Sequence, residues 1–416
     1  MKKRFKFWLR KFIPDFIFSL YHLGWAVLAN IVYRFPSRKL IVIGVTGTKG
    51  KTTTCNMIWQ VLTEAGHKVG MTTTANIRIG DKEWINDSKM TMQGRLRLQR
   101  LLRQMVKAGC RYAVIETSSE GILQWRHFGI KYQAAVFTNL SPEHLERHGS
   151  FANYQAAKGK LFKQLSGLSI SVVNNDDDNA DYFKSFPAKV KVYYGIENQA
   201  DFQAVNIVED EQGSRFEVRG RIFTLPLWGK FNIYNALAAI SIGRALQVEW
   251  SVISRALAKF DYVPGRMEKI FSPAGFLVVV DYAHTPESLE LVYKTLKPRA
   301  RKLIAIIGAA GGGRDKNKRR QLGRIAGDYA DIVIVTDEDP YDEDPVDIIE
   351  TVFSGVGSRP EKKMKILSRE EAIKQALQMA QAGDIVVITG KGSEQAIMTK
   401  TGKIPWDDRQ IVKKYL

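Results

Sequence analysis

The chemistry of this chain is most legible in Gly47-Thr48-Lys49-Gly50-Lys51-Thr52-Thr53. Gly47 and Gly50 let backbone N–H groups turn inward toward phosphate oxygens, Lys51 supplies a point charge, and Thr52 brings a hydroxyl suited to magnesium. A helix starting at this point adds its positive dipole end. The strict Walker spacing would place a glycine at position 45, which is Val45; the shorter form G-T-x-G-K-T fits instead. An apolar run, Leu40 to Val45, precedes the loop, and a helical pattern through Met57, Ile58, Val61 and Leu62 follows it. Strand, glycine loop and helix in that order predict nucleotide binding.

The elements that must carry such a loop are visible around it. Strand-like apolar runs at Tyr112 to Ile115, Ala134 to Phe137 and Ser169 to Val173 alternate with helical patterns and predict a doubly wound α/β sheet. Residues 190–227 break the rhythm with short alternating segments such as RFEVRGRIFTLPL and predict a small β subsheet, after which a helix is expected over Tyr234 to Leu246. A second α/β series has strands at Leu277 to Val280, Leu303 to Ile307, Ile332 to Val335 and Ile385 to Ile388, with Pro264-Gly265 as a natural hinge before it. The expected fold class is therefore α/β. A basic, aromatic helical segment (1–38) precedes a central P-loop ATPase domain (39–263) and a Rossmann-like α/β C-terminal domain (264–416).

With 416 residues and 45% hydrophobic content the chain can build two ordinary cores. Cys55 and Cys110 are too few for a disulfide framework or a four-thiolate zinc site, and no cleavable signal sequence is obvious, so a reducing cytoplasm is expected. The formal charge of +19 points to an anionic partner, and residues 1–39 hold nine Lys/Arg against Asp15 alone. Phe16 to Tyr33 has no charged residue and carries Phe16, Phe18, Tyr21, Trp25 and Tyr33. Its 18 residues are at the lower limit for a bilayer span, and His22 and Asn30 weaken that assignment. Beside the cluster Lys2, Lys3, Arg4, Lys6, Arg10 and Lys11, a helix lying on the inner leaflet is expected, with peripheral attachment and no nucleic-acid partner. The alternative is a helix packed on its own domain or on a partner chain.

GTKGKTT, ETSSEG, FTNLSPEHLERHGSFANYQAAKGKLF, GKFNIYNALAAI, VPGRMEKI, DYAHTPESLE, GGGRDKNKR, TDEDPYDEDP and TGKGSE occur in the order seen in Mur ligases. Over residues 40 to 416 the chain resembles the MurE type, which adds the third amino acid to a muramoyl-dipeptide. The resemblance implies transfer of the ATP γ-phosphoryl to a carboxylate and attack of an amine on the acyl phosphate. Lys51 would meet the γ-phosphate, Thr52 and Glu116 would hold one magnesium, and His144 a second. Lys158 would be carbamylated to N6-carboxylysine, an anion that supports the metal. Asn232 and Asn235 suit adenine edges, or cap the helix they start. Arg266, Asp281 and His284 would reach phosphate and ribose when the domains close. Other superfamily amide ligases, acting on folylpolyglutamate or poly-amino acids, and a non-catalytic membrane-associated nucleotide-binding module are the competing readings.

On the substrate side, Thr91, Ser118, Gln124 and Arg126 match positions that contact the muramoyl-peptide, whereas Met92-Gln93 replaces Thr-Pro and Glu120 replaces a histidine. Arg314 would clasp the incoming α-carboxylate, with Gly390 and Glu394 lining the same pocket. Enzymes that choose meso-diaminopimelate carry Asp-Asn-Pro-Arg where this chain has Asp339 in place of the asparagine and Tyr341 in place of the arginine. A pocket edged by Asp339 and Asp342 predicts lysine or ornithine, unless an arginine arrives from another loop. The family's N-terminal uridine-diphosphate domain is expected to be absent, so the acceptor is expected to be nucleotide-linked and weakly held, or lipid-linked and reached through the opening segment.

Overall fold

A computed structural model describes residues 15–143, 145–165 and 169–416. Contacts divide the chain into two compact units: residues up to Pro226 together with Lys230–Phe260, and Leu227–Gly229 together with Asp261–Leu416.

The first unit rests on an eleven-stranded sheet. Its strands are β1 (Ile41–Thr46), β2 (Val69–Thr72), β3 (Asn76–Ile79), β4 (Lys82–Ile85), β5 (Tyr112–Glu116), β6 (Tyr132–Phe137), β7 (Ile170–Asn174), β8 (Val190–Gly195), β9 (Phe202–Glu209), β10 (Ser214–Val218) and β11 (Arg221–Leu225). They lie in the order β11-β10-β9-β8-β7-β6-β1-β5-β2-β3-β4. The run from β8 to β2 is parallel, and its middle strands read as apolar and buried because crossover helices cover both faces. Strand order reverses around β1, so the loop leaving β1 opens into the crevice where α/β sheets bind ligands.

Residues 190–227 do not form a subsheet of their own. β8 pairs in parallel with β7, and β9 joins β8 through Tyr194↔Phe202 and Gly195↔Gln203 before the antiparallel β10 and β11 extend the same sheet. Alternating polarity marks half-buried strands but does not name their partners.

The helices that matter to the site are α1 (Asp15–Val32), α2 (Lys51–Glu64), α3 (Arg95–Lys107), α4 (Ser119–Leu123), α5 (Phe151–Lys163) and α6 (Lys230–Ala245). Helix α1 packs on α3 and buries Ala26, Ala29 and Asn30, so the apolar opening segment is part of the first unit. Among the described residues no helix is long and apolar enough to cross a membrane. The basic cluster Lys2 to Lys11 lies outside the described residues.

The second unit holds a six-stranded sheet of β12 (Glu268–Phe271), β13 (Leu277–Val280), β14 (Leu303–Ile307), β15 (Ile332–Val335), β16 (Lys362–Lys365) and β17 (Ile385–Ile388). The order is β12-β13-β17-β14-β15-β16, parallel except for β12. Buried Val and Ile on its central strands form one apolar layer.

Candidate active site

The loop between β1 and α2 is built for close backbone approach. Gly47 has φ +150, and a Cβ there would lie 1.9 Å from Thr138 Oγ1. Gly50 has φ +78, and a Cβ would lie 2.4 Å from Asn235 Oδ1, so a side chain is excluded at both positions. The residues after β6 pin the loop: Thr48 N–H donates to Asn139 O (2.8 Å), Lys49 N–H to Asn139 Oδ1 (2.8 Å), and Thr138 Oγ1 to Lys49 O (2.7 Å). Lys51 Nζ donates back to Thr48 O (2.8 Å), which holds its charge over the cradle. Thr53 is buried in the first turn of α2.

Glu116 ends β5 and is buried. The Thr52 hydroxyl lies 3.0 Å from each of its carboxylate oxygens, and Thr74 donates to Oε2 from its N–H (2.6 Å) and hydroxyl (3.0 Å). A P-loop hydroxyl against a buried carboxylate is a donor set that fits a hard divalent cation. Lys158, on α5, is also buried and donates to Gly47 O (2.6 Å), with its ammonium 4.4 Å from the centre of the Tyr154 ring. Burial, seconded by the nearby Lys51 charge, holds its amine well below the ordinary lysine range, against the opposing pull of Glu143 and Glu116. Tyr154 reaches Thr48 Oγ1 (3.1 Å). His144 lies outside the described residues, and among those described no group of three His, Cys, Asp or Glu forms a metal cluster.

Helix α6 begins at Lys230, so Asn232 lies in its first turn and Asn235 one turn further, and neither is the residue that caps it. Both are buried; Thr54 Oγ1 donates to Asn235 Oδ1 (3.1 Å) and Asn235 Nδ2 to Asn232 Oδ1 (3.3 Å). Asn235 thereby backs the P-loop, a role beyond the capping read from sequence.

The residues expected on the acceptor side come from the segment before α3 and from the two ends of α4. Ser118 Oγ caps α4 by accepting from Gly121 N–H (3.1 Å). Arg126 donates to Met92 O and to Gln124 Oε1 (2.7 Å), and Gln124 Nε2 donates to Glu120 Oε1 (3.1 Å). Thr91 is half-buried next to Met92, so four positions from two stretches of sequence are brought together.

In the second unit, Asp281 accepts from Met267 N–H and Ala283 N–H, both at 2.7 Å, and so ties the turn after Gly265 to the end of β13. Burial raises its carboxyl above the usual range. Arg266 stacks 4.2 Å from the centre of the Tyr282 ring, and His284 Nδ1 lies 2.9 Å from Tyr282 O. Arg314 is exposed and lies over Tyr341, 3.4 Å from its hydroxyl. Gly390 has φ +103, and a Cβ there would strike Glu338 Oε2 at 2.3 Å.

Asp339 departs from the expected charged pocket edge. Its carboxylate is buried, accepting from Lys391 Nζ and Met398 N–H, both at 2.7 Å, and Lys391 also bonds Glu394 (2.8 Å) and Ala396 O (2.7 Å). The carboxylate is turned onto Lys391, a single ammonium shared with Glu394, and not toward an open pocket edge, so the selectivity argument is left to Tyr341. Lys391 stands within TGKGSE, yet its partner is remote in sequence and only its burial reveals the role. Thr74 on Glu116 and Asn139 on the P-loop were likewise missed, since nothing local marks them.

A glycine cradle at a sheet switch point, a lysine over it and a hydroxyl-carboxylate pair beneath define a P-loop nucleotide-binding α/β enzyme. The family model of the Mur ligase middle domain matches residues 45–243, and that of the Mur ligase glutamate ligase domain matches residues 265–392. A UDP-N-acetylmuramoyl-L-alanyl-D-glutamate--2,6-diaminopimelate ligase of Geobacillus kaustophilus is 37% identical over 411 residues, covering 96% of this chain and 84% of the relative. A solved structure of an enzyme of that name superimposes with a TM-score of 0.63 at 33% identity, covering 90% of this chain and 78% of the other. A Mycobacterium tuberculosis folylpolyglutamate synthase shares the fold, with a TM-score of 0.71 at 17% identity, 88% of this chain and 92% of that one. The chain belongs to the Mur ligase family. It is of the MurE type, an ATP-dependent acid–amino-acid ligase.

Proposed function

We propose that this ligase adds an amino acid, as third residue of the stem peptide, to a muramoyl-dipeptide acceptor in peptidoglycan precursor synthesis. The observation that carries the reading is the P-loop with Thr52 and Glu116 in contact beneath it, in a chain 37% identical to a ligase of that name. The acceptor carboxylate attacks the γ-phosphorus of ATP, the bond to ADP breaks, and an acyl phosphate forms. The amine of the incoming amino acid then attacks the acyl carbon, phosphate leaves, and the amine loses a proton. Loop N–H groups, the α2 N-terminus and Lys51 hold the phosphates and offset the charge that develops on them. Thr52, Glu116, Lys158 as a carbamate and His144 would hold magnesium, which when bound neutralises phosphate charge. Burial holds the Lys158 amine well below the ordinary lysine range, which favours the neutral form that adds to carbon dioxide with loss of a proton.

Residues 39–263 are read as the ATP-binding domain and 264–416 as the amino-acid domain, with Asn232, Asn235, Arg266, Asp281 and His284 toward the nucleotide. Thr91, Ser118, Gln124 and Arg126 are read toward the acceptor, and Arg314, Gly390 and Glu394 toward the amino acid. The added residue is a diamino acid. Tyr341 in place of an arginine favours lysine or ornithine over meso-diaminopimelate; Asp339 no longer contributes to that argument. Peripheral contact of the opening segment with the inner leaflet, and a nucleotide- or lipid-linked acceptor, complete the reading.

The test is ADP release over a matrix of acceptors, muramoyl-dipeptide against folate, and of amino acids. Release only with the muramoyl acceptor and a diamino acid supports the proposal, and Tyr341→Arg should shift preference toward diaminopimelate by tenfold or more on the order of one good ion pair. Release with folate and glutamate would replace it.

A further inference from the structure

Helix α1 has two unlike faces. Ser19, His22, Ala26, Ala29 and Asn30 recur at helical spacing and face the first unit. On the other side Leu20, Tyr21 and Ile31 leave 58% to 60% of their surface exposed, and Ile17 and Leu28 leave 44% and 45%. An apolar stripe of this length, unbroken by any charge, marks an interaction surface.

Cations flank it in the chain and line the helix packed beside it. Six Lys/Arg lie in residues 1–14, Arg34, Arg38 and Lys39 follow the helix, and α3 beside it carries Arg95, Arg97, Arg100, Arg103 and Lys107 with no acidic residue. A second copy of this face would bring two such clusters together and meet like-charge repulsion, whereas an anionic bilayer neutralises them and takes up the apolar stripe.

The inner face is bonded along the acceptor loop. Trp125 Nε1 donates to Ser19 Oγ (2.8 Å), and Asn30 Nδ2 donates to Phe128 O (2.9 Å). His22 bonds Arg95, whose Nε donates to Gln124 O (2.9 Å). Ser37, just beyond the helix, donates to Gly129 O (3.2 Å) and accepts from Lys131 N–H (3.2 Å). Trp125 is held at φ +58, and a Cβ on Gly129 would strike Asn30 at 2.4 Å, so the conformation of the loop depends on the helix. Inserting Ser19, His22 and Asn30 into lipid would strand polar groups, so α1 docks while still bound to its own domain.

We propose that the outer face of α1 docks on an anionic bilayer and that its inner face conveys this docking to the acceptor loop, making the lipid surface an activating ligand of the acceptor site. This rests on the ligase reading above. Docking fixes α1 against the domain and with it Gln124 and Arg126, so the effect falls on acceptor binding and not on the phosphoryl step.

The experiment combines vesicle co-sedimentation with kinetics on a soluble muramoyl-dipeptide acceptor. Wild type should pellet with vesicles of equal phosphatidylglycerol and phosphatidylcholine, fail to pellet with phosphatidylcholine alone, and be released at roughly 1 M salt, where the Debye length is about 3 Å. The anionic vesicles should lower the acceptor KM at least threefold with kcat unchanged. The variant Leu20→Ser/Leu28→Ser/Ile31→Ser should keep the rate without vesicles and lose both pelleting and the KM effect. His22→Ala should still pellet and lose the KM effect. Equal pelleting of the triple variant and wild type, a lipid-free dimer of wild type that the triple variant abolishes, or vesicle binding with no change in KM would each overturn the proposal. Absence of any ligation would instead overturn the ligase reading, while pelleting still reports on docking.

Discussion

Lys158 stands against the P-loop with its amine pointed at Gly47 O, a poor location for a cation in a site proposed to hold magnesium. Converting it to an anion removes that conflict. Lys158→Ala is therefore expected to lower ADP release by about 10²-fold or more, on the scale of one lost electrostatic group in a catalytic site. Small carboxylates in the assay should restore part of the rate. A structural lysine would show no rescue, and mass spectrometry of the intact protein in bicarbonate tests the added carboxyl directly. Glu116→Gln keeps the shape of the contact with Thr52 and Thr74 and removes the charge, so it should bind ATP while losing turnover. Unchanged turnover in that variant would take Glu116 out of the metal site.

Among the elements, the β1–α2 loop and the loop after β15 lend themselves to opposite tests. Gly50 has φ +78 and faces Asn235, so Gly50→Ala meets both a disfavoured backbone and a 2.4 Å clash. It should weaken ATP binding far more than it lowers the melting temperature, as titration calorimetry beside thermal unfolding would report. In the second unit, burial raises the Glu338 carboxyl from 4.5 to about 7, even with Arg369 and Lys391 nearby. The folded state then binds more protons than the unfolded chain between these values. Stability contributed by this group is present below pH 4.5 and is lost as pH rises toward 7. Glu338→Gln should flatten that fall, and a variant whose melting temperature tracks wild type from pH 5 to pH 8 would refute the assignment.

For the molecule as a whole, nucleotide binding must appear as stability. MgATP at a hundredfold excess over its dissociation constant should add about 2.7 kcal/mol to the unit that binds it, and Lys51→Ala should abolish the shift in thermal unfolding. Much of this protein was legible in the order of its residues. Glycine at Gly47 and Gly50, lysine at Lys51 and apolar runs at each central strand are local requirements of backbone geometry and burial, so the P-loop, both α/β series and the family could be read without coordinates. Pairing is different, because it is chosen by groups far apart in the chain. That Lys391 pairs with Asp339, that Thr74 bonds Glu116, that β9 joins β8 and that α1 turns one face to the loop around Trp125 and the other outward were decided only by the tertiary structure. A residue's type sets which interaction it can make, whereas the packed fold decides which partner lies within reach and whether water competes for it.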